Sequence, residues 1–271
     1  MEETVNGGGQ HEEPRGTNGQ VSDNGSNETD AGGLGQAGVG GMPQGFARMS
    51  VDRDAARYNM SHKQRGHCVI FNHRHFDQHT GLGERNGTDR DRDQAQALFT
   101  NLGFQVTVYN NLRVYEVKEK IQDLAFDVNH SECDALAVVF MSHGEKDVLW
   151  GRDGTFNPDY LFENFKADQC STLAGKPKLF FIQACRGEGL DAGHFSWRNT
   201  TNGSWFIQSL VKVLTRDSGH DDLLSMMTSV NRNMILNFES NCPSQQHMHG
   251  KKQAACIVST LMRKVYFTPK Y

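Results

Sequence analysis

Cys185 stands in the run Gln183-Ala184-Cys185-Arg186-Gly187, and His143, 42 residues upstream, in Phe140-Met141-Ser142-His143-Gly144. A thiol with a reference pKa of about 8.5 is only partly ionised at neutral pH. Attack on a carbonyl carbon therefore gains from a base that takes its proton and later returns one to a leaving amine, and an imidazole can do both. Gly144 carries no side chain, so its backbone N–H, with that of Cys185, can approach a substrate oxygen and stabilise an oxyanion. Read singly, a cysteine is more often a small buried hydrophobe and a histidine a satisfied polar residue. Pairing by the fold is what would turn them into a nucleophile and its base.

The elements that must do the pairing are legible as two alternating kinds of apolar segment. Residues 67–72, 104–110, 135–143 and 178–185 are short and rich in β-branched or aromatic residues, and three of the four are nearly continuous apolar runs, as in strands covered on both faces. Between them lie one-face helical patterns. Asp91 and Asp93 precede Ala95, Leu98, Phe99 and Leu102, with Gly103 as the stop, and Val114, Val117, Ile121, Leu124 and Ala125 repeat the spacing. Two further helical patterns occupy 206–214 and 223–238, and a last strand is expected over 254–267. Strand alternating with helix predicts an α/β fold, a doubly wound, mostly parallel sheet with helices on both faces. In such sheets ligands bind beyond the carboxyl ends of the strands. His143 and Cys185 each follow one of these strands, so neighbouring strands would open both residues into one crevice.

Thirteen of the 28 glycines fall in residues 1–45, among Asn, Gln, Ser and Glu and almost no bulky apolar residue, a composition that predicts a disordered tail. That stretch holds seven acidic side chains and one arginine; taking its −6 from the whole-chain net of −4 leaves about +2 for the rest. So nearly neutral a remainder gives no electrostatic case for nucleic acid. No apolar window is long enough to span a membrane and the amino terminus has no signal-like stretch, so the expected compartment is cytoplasmic. The six cysteines show no repeated short spacing, which predicts reduced thiols and neither a disulfide framework nor a metal site. His73, His75 and His79, and His247 and His249, are read as histidines on solvated loops, so no metal and no cofactor is expected.

The run Gln-Ala-Cys-Arg-Gly is a signature of the caspases, which carry a histidine roughly 50 residues upstream. The resemblance extends through RGHCVIFNH, RNGTDRD, MSHGE, QACRG, SWRNTTNGSWFIQSL and KKQAACIVSTLMRKVYF, in caspase order from about Tyr58 to Phe267, and is nearest in wording to insect executioner caspases. It implies a cysteine endopeptidase that cleaves after aspartate, an executioner of apoptosis, with a short prodomain over 1–48, a large-subunit region over 49–190 and a small-subunit region over 191–271. Arg85, Gln183 and Arg198 match the family's holders of the substrate aspartate, Phe195 and Trp197 its apolar wall, and Asn199 and Trp205 positions that shape the more distant pocket. Paired N–H donors on each guanidinium suit a carboxylate and make a neutral side chain a poor substitute. The resemblance also implies an initiator caspase as activator, inhibitor-of-apoptosis proteins as partners and a homodimer through the last strand. Asp30, before Ala31 in the tail, and Asp191 are the candidate processing sites.

In one respect the chain departs from the family. Only residues 186–195 lie between Cys185 and Ser196, where caspases carry a cleavage linker and a further strand. Ten residues are too few for a parallel return, which alone needs a dozen or more. The count predicts a sheet one strand short, a poorly stable or catalytically weak chain, and an Arg198 that fails to converge with Arg85. It also favours a rival reading, a caspase-like decoy that pairs with active caspases, against which the complete set of site residues argues.

Overall fold

Four short apolar runs become four parallel strands. The computed structural model describes residues 51–185, 197–199, 201–244 and 246–270; the tail, Asp30, Asp191 and Phe195 lie outside them. The central sheet has the order β2-β1-β3-β7, from Gln105–Asn110, His67–Asn72, Leu136–Met141 and Lys178–Gln183. The intervening elements are α1 (Thr88–Asn101), α2 (Val114–Gln122), the small antiparallel strands β4 (Gly144–Glu145), β5 (Val148–Trp150) and β6 (Thr155–Phe156), and α3 (Tyr160–Glu163). After β7 come the pair β8 (Arg198–Asn199) and β9 (Gly203–Ser204), then α4 (Trp205–Asp217) and α5 (Leu223–Asn237).

The two-residue alternation of strand side chains sorts the core into two layers. Cys68, Ile70, Ala137, Val139, Leu179 and Phe181 pack on one face with residues of α1, α4 and α5. Val69, Phe71, Leu136, Val138 and Phe140 pack on the other with residues of α2 and α3. The sheet is doubly wound. Helices α4 and α5 start where side chains can satisfy their first amides: Ser204 accepts from the Ile207 N–H, and Asp222 from those of Leu224 and Ser225. Such caps contribute about 1 kcal/mol each. No helix among the described residues is long and apolar enough to cross a membrane.

The expected last strand does not form. Over 254–267 the chain makes one isolated parallel bridge, Lys264 with Arg57, and no ladder. A strand requires a neighbour to share its backbone hydrogen bonds. β7 pairs only with β3 among the described residues, and no other strand lies beyond its free edge. Cys256, expected inside that strand, is exposed, as are Ile257 and Val258. The end of the run is held by side chains instead: Val265 and Phe267 join the core. Buried Asp134 receives Arg65 at 2.9 Å and Lys270 at 2.6 Å, and Arg65 also donates to the Thr268 carbonyl.

Candidate active site

Register brings the two chemical residues together. β3 and β7 run side by side with Met141 opposite Gln183, so His143 and Cys185, two residues further along each, leave adjacent strand ends. The fit is close. A Cβ on Gly144 would lie 2.8 Å from the Cys185 carbonyl oxygen and 2.9 Å from the Ala184 Cβ, so only glycine leaves room for the nucleophile's loop. The same residue has an amide to offer. The Trp150 N–H donates to the His143 carbonyl at 3.1 Å, which makes that facing pair the hydrogen-bonded one. Alternation along an antiparallel ladder makes the next pair, Gly144 with Leu149, the unbonded one, so the Gly144 N–H points out of the ladder.

His143 donates from Nε2 to the Gly83 carbonyl at 2.9 Å. A carbonyl only accepts, so the bond fixes the proton on Nε2 and leaves the lone pair on Nδ1. The Phe76 ring lies 4.9 Å from the imidazole centroid and helps hold its plane. Burial, chiefly, and the charges of Arg85 and Arg198 lower the His143 pKa, whereas the carbonyl bond raises it. The imidazole is thus kept as a neutral base. Cys185 is half-buried, open enough to meet a substrate.

The two arginines converge, contrary to the expectation from the ten-residue count. The charge of Arg198 lowers the pKa of Arg85, and both guanidiniums lie within electrostatic reach of Asp91 and Cys185. The reason lies in β8 and β9, which reach back across the sheet end without the missing segment: Arg198 Nε donates to the Asn86 carbonyl at 2.7 Å, one residue from Arg85. Arg85 is 2% exposed and donates to the His73 carbonyl and Thr88 Oγ1. Desolvation, then the charge of Arg198, pushes its pKa down to about 9. No carboxylate among the described residues lies within ion-pair distance of either guanidinium. Two desolvated cations with Asp91 near but no direct ion pair are costly, and an incoming carboxylate offsets that cost.

Gln183 is buried at 2% exposure at the end of β7. Trp197 stacks on Trp205 at 5.7 Å, and Trp205 on Phe238 at 5.5 Å. The Gln253 side chain anchors the Trp197 N–H, and Asn199, exposed, accepts from the Thr201 and Asn202 amides to close the β8–β9 turn. Of the histidines read as solvated, His73 is instead buried, donating through Nε2 to the Leu112 carbonyl at 3.1 Å, with its pKa pushed down to about 4 by burial. Since Leu112 offers a carbonyl, the ring donates.

Asp91 was legible only as a helix-start acid, yet it is fully buried beneath the arginines. Its Oδ1 accepts from the Ser204 N–H at 2.7 Å, and a Cβ on Gly203, at φ +92, would sit 2.3 Å from that oxygen. Desolvation raises its pKa to about 6. It joins α1 to the strand pair carrying Arg198. The signal for it is an acid three residues beyond Thr88 on the inward face of α1, which reads equally as an N-terminal charge.

A doubly wound sheet that brings a thiol, a neutral imidazole and two cationic forks to its carboxyl end defines a cysteine hydrolase selective for an acidic group. A family model described as the caspase domain matches residues 65–266. Caspase-1 of Spodoptera frugiperda is 42% identical over 262 aligned positions, covering 84% of this chain and 87% of that protein. drICE of Drosophila melanogaster is 38% identical, covering 83% and 76%, and bovine Caspase-3 is 34% identical, covering 78% and 87%. The crystal structure of the Spodoptera protein superposes with a TM-score of 0.80 at 44% identity, covering 83% of this chain and all of that one. The chain belongs to the caspase family, and its enzyme class is that of the aspartate-specific cysteine endopeptidases, the cysteine proteases of apoptosis. With the Spodoptera protein, 84% of 271 residues is fewer than 262 positions, so the alignment opens a gap on this side.

Proposed function

We propose that this chain is an executioner-type endopeptidase that hydrolyses peptide bonds after aspartate, with turnover limited by its unfinished sheet. One observation carries the reading: buried Arg85 and half-buried Arg198, neither ion-paired to a carboxylate among the described residues, both lie within electrostatic reach of Cys185, whose backbone packs against Gly144. The substrate aspartate ion-pairs with Arg85 and Arg198, with Gln183 beside them and Trp197 with Phe195 flanking. His143 Nδ1 takes the Cys185 proton. The sulfur adds to the carbonyl carbon, and the resulting oxyanion accepts from the Gly144 and Cys185 amides. Collapse breaks the C–N bond as His143 protonates the leaving amine, and water then hydrolyses the thioester and restores the thiol. Asn199 and Trp205 shape the more distant pocket. A cytoplasmic zymogen cut at Asp30 and Asp191 by an initiator caspase, restrained by inhibitor-of-apoptosis proteins and paired through 254–267, completes the proposal; exposed Ile257, Val258 and Met262 support that pairing surface.

The free edge of β7 favours a second reading, a regulator that pairs with an active caspase and turns over nothing. Hydrolysis of an aspartyl tetrapeptide by the chain, abolished in Cys185→Ala and tenfold or more weaker on the asparaginyl peptide, supports the enzyme. A Cys185 that an aspartyl electrophile fails to label supports the regulator.

A further inference from the structure

At the opposite end of the sheet from the active site lies a second group of chemically capable side chains. His67 opens β1, and His130 and Cys133 flank the turn that leads into β3. One ligand atom from each, two imidazole nitrogens and one sulfur, lie within 4.8 Å of one another. The His67 and His130 rings meet edge to face at 5.5 Å. Nothing in sequence spacing discloses the group, because His67 is 63 residues from His130 and is brought to it only by the pairing of β1 with β3.

The decisive feature is the state of His130. It is wholly buried, and its Nε2 lies 2.8 Å from the Leu124 carbonyl, so Nε2 carries the proton and donates. Its Nδ1 is buried with no hydrogen-bond partner among the described residues. An imidazole whose far N–H is held by a carbonyl and whose near lone pair is unsatisfied is oriented as metal-bound histidines are. A buried acceptor left unpaired is costly, and a bound ion would offset that cost. The His67 side chain makes no hydrogen bond with the described residues and is half-buried, so its ring can turn. The buried Cys133 thiol has only a long contact, 3.7 Å, with Gln64 Oε1. Lys176 donates to the His130 and Ser131 carbonyls at 2.7 and 2.6 Å and clamps the loop that bears both ligands.

We infer that His67, His130 and Cys133 form a site for a thiolate-accepting divalent transition ion, zinc in particular, with water in the fourth position. Zinc takes nitrogen at about 2.0–2.1 Å and sulfur at about 2.3 Å in a tetrahedron, so ligand atoms must close to roughly 3.5 Å of one another, a change within reach of a rotation of His67. Binding replaces the Cys133 proton, released to solvent, with the metal. The ion would tie the start of β1 to the turn before β3 and act on stability, since it lies the length of a strand away from Cys185. No step of peptide hydrolysis involves it.

The test uses the full chain carrying Cys185→Ala, which removes the thiol placed with His143 in the proposed active site. Cobalt(II) titrated into it is expected to give a thiolate-to-metal charge-transfer band saturating at one equivalent. Cys133→Ala should abolish that band. His67→Gln, at the half-buried position where folding is least at risk, should weaken binding by about tenfold or more with its circular dichroism unchanged. Zinc should raise the melting temperature of the Cys185→Ala chain, and raise that of the His67→Gln variant less at the same zinc concentration. Absence of the band, or a band that survives Cys133→Ala, overturns the site.

Discussion

Arg198 illustrates how a single side chain can be tested for more than its presence. It supplies one of two forks to the proposed aspartate pocket and also lowers the pKa of His143 through its charge. Truncating one partner of a buried charge pair costs about 2–5 kcal/mol, so Arg198→Ala should reduce kcat/KM on an aspartyl peptide by about 30-fold or more. The pH profile supplies the independent readout. The neutral imidazole is the working base, so activity is lost as pH falls through its folded pKa, which burial and the two arginines place below 6.5. Removing Arg198 should move the acid limb of kcat/KM upward, and a limb that stays in place would mean that the guanidinium lies elsewhere in solution. Asp91 makes the converse case for stability. Its folded pKa near 6 stands above the reference value of 3.8, so between those values the folded chain holds a proton that the unfolded chain lacks. Acidification through that window therefore stabilises the native chain at this residue, by on the order of 1.4 kcal/mol per pH unit. His73, held near 4, works in the opposite direction in any variant that keeps it and cancels from a comparison. Asp91→Asn has no such gain, so urea midpoints of variant and parent should diverge against the variant from pH 6 to pH 4; parallel curves would place the Asp91 proton elsewhere.

Elements, unlike residues, are made by their neighbours, and segment 254–267 shows the consequence. Its apolar, β-branched composition reads as a strand as clearly as that of β1, yet it forms none among the described residues. Local composition reports what a segment can do, and pairing decides what it does. Backbone amides of 256–261 accordingly lack ladder partners, and in hydrogen exchange they should exchange orders of magnitude faster than those of β1 and β3, whose ladders are buried. Protection of 256–261 in the monomeric chain would restore the strand. The four parallel strands and four long helices were legible because each combines a periodic apolar face with a turn residue at its end. Gly103, at φ +89 after α1, is one such punctuation mark. The placement of Cys185 and His143 after adjacent strands was legible for the same reason. Not legible were interactions set by approach in three dimensions: Gly83 as the carbonyl partner of His143, Asp91 under the arginines, and the convergence of Arg198 with Arg85 despite the short connection. The strand pair Arg198–Asn199 and Gly203–Ser204 is too short to show a period, and it is what makes that convergence possible.

At the scale of the whole molecule, the site and its support are decoupled. The groups proposed for peptide hydrolysis lie at the end of β3 and β7, yet among the described residues β7 forms the edge of the sheet, where Phe180 and Ile182 are only partly covered. An edge strand holds its backbone on one side alone, and its loop, here carrying Cys185, inherits that freedom. The expected result is a chain that recognises and labels with aspartyl electrophiles better than it turns over, because binding needs the forks while repeated catalysis needs sulfur, imidazole and amides held within fractions of an ångström. Inserting a linker and a six-residue apolar strand between Gly187 and Phe195 should supply the missing neighbour for both β7 and 256–261. If the added ladders and covered side chains contribute a net of about 3 kcal/mol, the melting temperature of a chain this size should rise by roughly 6–12 °C. The gain should appear in kcat more than in KM, since the forks already converge and what improves is the fixity of the nucleophile. An insertion that leaves both the melting temperature and kcat unchanged would mean that the four-stranded sheet is sufficient as it stands, and that the short connection is a complete, working form of the fold.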